Sequence, residues 1–151
     1  MLYQFLRESI LRHFRETKPL IQQLTDSMVI AEPVDSGRPL GEIILHMLRS
    51  IEYYLRGLMT DEWKPLPYQL SNYGTATAIQ KLFDEVVAKA EDYLEQLDPS
   101  GLGDVMDRFN RPATKIEILL EMLEHSIQHR GQVLVYYRLL KVKPVTIPYI
   151  L

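Results

Sequence analysis

The sequence predicts an all-α fold, a four-helix bundle with a crossover connection. Three observations predict it. Four segments carry apolar residues at helical spacing. None shows a sustained period-two alternation. The connections before the second and third of these helices each run to roughly 14 residues, longer than an up-and-down path needs. The chain has 151 residues, 46% hydrophobic and 25% charged, with no repeat, linker or low-complexity tract. That predicts one domain, residues 1–151, long enough to bury a core without staples.

The first helix is expected from about Leu2 to Leu24, marked by Leu2, Phe5, Leu6, Ile10, Phe14, Ile21 and Leu24. Pro19 should kink it or force a fresh start, because proline lacks the N–H and clashes with the preceding turn. Residues 26–39, with Ser, Gly and two prolines, read as a loop. The second helix should open at Pro39, whose fixed φ suits a first helical turn. Its stripe is Leu40, Ile43, Ile44, Met47, Leu48, Ile51, Leu55 and Leu58. Residues 61–74, rich in Pro and Tyr, form a long connection of the kind used as a lid or partner surface. Thr77 with Gln80 suggests a capping box for the third helix, ended by Asp98-Pro99-Ser100-Gly101. Thr114 with Glu117 suggests another for the fourth, which should run to about Leu140 before Lys143-Pro144. The apolar tail from Val145 to Leu151 should pack on the bundle or on a second subunit.

The fourth helix carries the chemistry. Ile116, Leu120, Leu123, Ile127 and Leu134 lie on one side, and Ile118, Met122, Val133 and Tyr136 roughly opposite. A helix apolar on both sides is expected to be buried among several neighbours. His125 and His129 fall on the second side, four residues apart, so their rings reach a common point. On the second helix, His46 shares its side with Glu42, Ser50, Tyr53 and Gly57. Gly57 there would let a neighbouring helix approach. Three imidazoles can form three corners of a tetrahedron, with the fourth open to water or substrate. The alternative for His125 and His129 is a solvated or hydrogen-bonded pair without metal. Burial favours the ion, since polar rings among apolar neighbours cost a few kcal/mol each if unpartnered. His13 lacks such company and reads as a surface or core-edge residue.

Composition excludes other classes. Without cysteine there is no disulfide framework, thiolate ligand set or cysteine nucleophile. A formal charge of −3 argues against nucleic acid and anionic lipid as partners. No apolar run approaches a membrane span, and no secretory leader is evident, so a cytoplasmic protein is expected. Ser126 follows His125, which excludes the His-Glu-x-x-His metalloprotease motif. Met122, Ser126 and Ile43 stand three residues before the histidines, where a ferritin-like di-iron site has Glu. Adjacent residues on a helix do not face each other, so Ser126 and His125 form no nucleophile pair.

Pro39-Leu40-Gly41-Glu42-Ile43-Ile44-Leu45-His46, then His125-Ser126-Ile127-Gln128-His129-Arg130-Gly131-Gln132, then Leu139-Leu140-Lys141-Val142-Lys143-Pro144, together resemble the DinB-like (damage-inducible, YfiT-like) family of metalloenzymes. The resemblance spans almost the whole chain in order of elements, and the second motif is its specific part. It implies a crossover four-helix bundle, commonly dimeric, so a homodimer is expected. It implies a divalent ion, zinc, nickel or iron, held by His46, His125 and His129. Characterised relatives include thiol S-transferases that use low-molecular-weight thiols and a mycothiol-dependent maleylpyruvate isomerase.

The leading expectation is therefore a metal-dependent thiol S-transferase acting on a small molecule. The alternatives are a metal-dependent hydrolase and a non-catalytic, stress-related binding or scaffold bundle. Glu121 and Gln132 are candidates to accept the outer N–H of the imidazoles. Tyr53 and Tyr136 are pocket candidates, with core packing as the ordinary role for each. Arg130 should point to a carboxylate on another helix, and Gly131 should serve a close helix approach near the site.

Overall fold

The computed structural model describes residues 1–149. It contains α1 (Leu2–Gln22), α2 (Asp26–Val29), α3 (Leu40–Thr60), α4 (Ala76–Gln96), a 3-10 turn at Pro99–Gly101, β1 (Val105–Met106), β2 (Ala113–Thr114) and α5 (Lys115–Leu139). The two short strands pair antiparallel, Val105 opposite Thr114. The fold is all-α, as the periodicity predicts.

Contacts fix the arrangement. α1 and α3 each pack on both α4 and α5, so α1 stands diagonal to α3, and α4 to α5. α1 and α5 run in the same direction: His13 meets Ser126, Glu16 meets Arg130, and the Tyr137 hydroxyl bonds the Leu20 carbonyl. α4 opposes α1, since the Tyr3 hydroxyl bonds the Leu94 carbonyl while Gln80 reaches the Ile21 carbonyl. α3 opposes α5, because Tyr136 bonds the Arg38 carbonyl at one end while Tyr54 and Ile118 share a cavity at the other. Consecutive helices α3 and α4 are therefore parallel, and the chain between them must travel back along the bundle.

Residues 61–75 make that return along α3. Trp63 lies against Gly57, where a Cβ would come within 2.4 Å of the indole. Farther back, the Tyr68 hydroxyl donates to Glu52 at 2.5 Å, and Arg49 donates to the Tyr68 carbonyl. Glu52 is buried, and its second oxygen accepts from Lys89 of α4 at 3.0 Å. Burial, then the Glu52 carboxylate, raises the Tyr68 phenol above its usual range, so it stays a donor. This segment is a crossover strap pinned to α3. Gly57 thus admits an indole from the strap, whereas the sequence suggested a helix.

α4 and α5 open on side-chain caps, whereas α1, α2 and α3 do not. At α5 the Thr114 side chain accepts from the Glu117 amide, and the Glu117 carboxylate accepts from the Thr114 amide, a complete capping box. The cap of α4 is Thr75, not Thr77: its hydroxyl accepts from the Ala78 amide. Gln80 instead donates to the Ile21 carbonyl in the last turn of α1, which also accepts from the Leu24 amide. α1 passes through Pro19 without a fresh start. The stretch expected as a loop at 26–39 contains the single-turn α2. α3 supplies the centre of the core, with Leu40, Ile44, Leu45, Leu48 and Leu55 fully buried, each contributing about 1.5–3 kcal/mol. Ile147 of the tail is buried and the Val145 amide donates to Gln23, while the last two residues of the expected tail lie outside the described residues.

Two expectations about the α1 and α5 surfaces are corrected. His13 is 3% exposed, with Nε2 at 2.7 Å from the Ser126 hydroxyl. Its burial escaped notice because its partner comes from the far end of the chain. And α5 is only partly buried on its second apolar stripe: Leu123 is buried and Ile116 and Leu134 are half-buried, but Leu120 and Ile127 are exposed.

Burial, and secondarily the Arg130 charge, push the His13 pKa down to about 3. The unfolded chain then binds this proton first as pH falls below about 6.5, so stability declines from there towards pH 3. The slope is at most about 1.4 kcal/mol per pH unit for this one group. Urea midpoints should fall between pH 6.5 and 4 with an unchanged m value. Midpoints flat across that window would contradict a neutral, buried His13.

Candidate metal centre

α3 and α5 cross where both carry histidine. His46 Nε2 lies 3.2 Å from His125 Nε2, and His129 Nε2 lies 3.0 Å from His125 Nε2. One ring nitrogen from each of the three lies within 4.8 Å of the others. Ligands at about 2.0–2.1 Å from a tetrahedral zinc are about 3.3 Å apart, so these separations suit a shared ion. The rings are T-shaped to one another, with interplanar angles of 72°, 86° and 81°.

The protonation chemistry fits as well. His129 Nδ1 is 2.7 Å from Gln132 Oε1. An amide oxygen only accepts, so Nδ1 carries the proton and Nε2 presents its lone pair to the shared point. Burial, then the neighbouring imidazoles, then Arg49 and Arg38, lower the His46 pKa to about 4. Burial and His129 lower that of His125. Unprotonated imidazoles are what a metal requires. Arg49 Nη2 lies 3.3 Å from His46 Nδ1, while its Nη1 is held by Glu42 at 2.9 Å and by the Tyr68 carbonyl. With an ion on Nε2 the His46 proton belongs on Nδ1, and Arg49 then rests on those two acceptors. His125 Nδ1 is buried with no partner, an electrostatic cost that an ion on Nε2 would help to offset.

A cavity of about 440 Å³ opens onto the three rings, walled by Arg38, Ile43, Gln128, Gln132 and Tyr136. Among the described residues, the group of potential ligands is His46, His125 and His129 alone. No side chain of the 61–74 strap lines this cavity, so the strap is not a lid over it.

The other predicted residues separate. Tyr136 lines the cavity, and its hydroxyl bonds the Arg38 carbonyl at 3.1 Å. Gly37 makes room for that hydroxyl, which would lie 2.8 Å from a Cβ there. Glu121 reaches no imidazole: its carboxylate accepts from Arg111 at 2.6 Å, one turn nearer the start of α5. Tyr53 is outside the cavity too, packed edge-on against Tyr54 and Trp63 with centroids at 5.5 and 5.4 Å. Arg130 does meet a carboxylate on another helix, Glu16 of α1, at 3.0 Å. Sequence reasoning missed Arg38, which stands in the connection before α3 and carries no periodic signal.

The architecture and the paired motifs now have independent support. A model of the DinB superfamily matches residues 10–133. The chain belongs to the DinB superfamily. A curated protein named YjoA, from Bacillus subtilis (strain 168), is 27% identical over 131 residues, spanning 85% of this chain and 84% of that protein. A DinB-like protein from Bacillus cereus ATCC 10987 superposes with a TM-score of 0.77 at 23% identity, over 97% of this chain and 95% of the other. The crystal structure of Bacillus subtilis YjoA gives a TM-score of 0.77 at 24% identity over 95% of each chain. A conserved protein from Enterococcus faecalis gives 0.72 at 18% identity, over 90% of this chain and 95% of that one. At these identities the structural likeness establishes the DinB fold. Among the described residues of this DinB protein, no helix is long and apolar enough to cross a membrane.

Gly131 corrects a further expectation. A Cβ there would meet nothing within 4 Å, so no helix of this chain approaches it. Gly131→Ala should therefore stabilise the protein by up to about 1 kcal/mol. Thermal denaturation checks this; a lower Tm would mean that something does pack on this glycine.

Proposed function

We propose that this DinB protein is a divalent-metal-dependent thiol S-transferase that uses a low-molecular-weight thiol. The observation that carries the reading is a three-imidazole cluster facing an open cavity instead of a fourth protein ligand. Structural zinc sites are closed by four protein ligands, while catalytic ones keep a position for substrate. This argues against a scaffold with a structural ion.

A bound divalent ion would supply Lewis acidity, lowering the pKa of a thiol or water at the open position. Zinc, nickel and iron all suit imidazole donors. The chain's own residues do the rest. Gln132 fixes the His129 tautomer, Arg49 and Arg38 help keep His46 unprotonated, and Ile43 and Tyr136 wall the site.

One feature favours thiol chemistry over hydrolysis: no carboxylate lines the cavity. Metal-dependent hydrolases commonly add a carboxylate general base beside the metal-activated water. A thiolate is already a strong nucleophile and needs none. The test is a screen of the zinc- or nickel-loaded protein with several cellular thiols against a panel of electrophiles, with His129→Ala as control. Metal-dependent thiol consumption, lost in the variant, is the expected result. Metal-dependent ester hydrolysis with no thiol consumption would favour the hydrolase, and neither activity would favour the scaffold.

A further inference from the structure

Beside the histidine cavity lies a second depression of about 470 Å³, walled by Val34, Ile43, Gly131, Val135 and the edge of Tyr136. The two are continuous. Ile43, Gln128, Gln132 and Tyr136 wall both. Three facts about the second depression need a common cause. Its lining is mainly apolar, yet Val34 and Val135 are 40% and 51% exposed. Its floor passes over Gly131, which α5 carries in mid-helix at a propensity cost of up to about 1 kcal/mol. And among the described residues nothing lies within 4 Å of where a Cβ on that glycine would stand. A larger residue at 131 would project a side chain into the groove, so the glycine keeps it open.

We propose that this groove holds the apolar body of the molecule that reacts at the three-histidine site, whose substrate is therefore amphiphilic, a metal-seeking head on an aliphatic or aromatic tail. The continuity of the walls selects this occupant over a second copy of the chain. The groove leads from the imidazoles along α5 from His129 to Val135, about 9 Å of helix, and its volume is that of a small-molecule pocket. Gly131 and Val135 are then the residues that set tail size. The inference rests on the reading that a divalent ion occupies the histidine cluster, but not on which head group the ion takes.

The test is binding to the cobalt-loaded full chain, followed by the cobalt visible spectrum. Two probe series are used, n-alkanethiols and n-alkyl hydroxamates, from two to eight carbons. Affinity should rise about fourfold per methylene in at least one series. In Gly131→Leu the long-chain gain should vanish, with affinity for the two-carbon probe unchanged. Val135→Asn should flatten the slope as well, which guards against a local defect in the first variant. Hydroxamates that show the slope while thiols fail to bind would support the groove and overturn the thiol reading. Thiols that bind with no dependence on chain length would leave the thiol reading standing and overturn the groove. Failure of both series to bind would overturn both. Should Gly131→Leu change the sedimentation coefficient and leave the slope intact, the groove belongs to a second copy and the proposal fails.

Discussion

Replacing His125 with alanine should lower zinc affinity by at least about 100-fold, since even loss of a residue that only orients a ligand costs 10–100-fold. His125 is the common member of the cluster, with its Nε2 at 3.2 Å from that of His46 and 3.0 Å from that of His129. Without it two imidazoles remain, too few for a stable tetrahedral site. The effect has a second signature. Zinc at 100 times Kd should stabilise the native protein by about 2.7 kcal/mol, and this gain should disappear in the variant at the same concentration. Without metal, His125→Ala should be little less stable than the parent. The substitution removes a buried, unpartnered Nδ1 and relieves three crowded lone pairs, which offsets the lost packing. A large loss of metal-free stability with unaltered zinc affinity would show that the cluster is structural. Titration calorimetry and thermal denaturation, with and without zinc, separate the outcomes.

The second large effect is expected on the side of α5 that faces α1, about 100° round the helix from the histidines. Ser126 and Arg130 each follow a histidine by one position, and both are turned towards α1. The Arg130 and Glu16 side chains are only 7% and 15% exposed, so their ion pair is largely shielded from solvent. Arg130→Met should destabilise the protein by about 3 kcal/mol, because it leaves the Glu16 carboxylate in a poorly solvated position with only the longer, exposed Arg12 contact at 3.9 Å. For a chain of this size that lowers Tm by roughly 6–12 °C. The double variant Glu16→Gln/Arg130→Met should recover most of the loss, since it removes the stranded charge. A double variant no better than the single one would show that Arg130 acts through the packing of its aliphatic stem.

The fold and the convergence of the three histidines are legible in the sequence for a common physical reason. Burial on one side imposes periodicity, and Leu40, Ile44, Leu48 and Leu55 of α3 announce their core face through it. The i, i+4 spacing of His125 and His129 places their rings together on any helix, whatever surrounds it. What could not be read depends on contacts between distant segments. His13 looked isolated because Ser126 lies 113 residues away in sequence. Thr77 and Gln80 matched a capping pattern, but Gln80 is drawn to carbonyls at the end of α1 and Thr75 caps in its place. Gly57 and Gly131 look alike as helical glycines, yet one receives the Trp63 indole and the other faces open space. Glu121 stands one turn from His125, but Arg111 of the preceding segment captures it. Arg38 sits in a connection, where no periodicity marks a residue as facing a site.

The central claim is that a single divalent ion is held by imidazoles from α3 and α5. The most direct measurement is zinc K-edge X-ray absorption on untagged protein loaded with one equivalent of zinc. The expected spectrum shows three imidazole nitrogens at about 2.0–2.1 Å and one further light atom not supplied by the protein. A spectrum with one imidazole or none, or protein that retains no zinc after desalting, would contradict it.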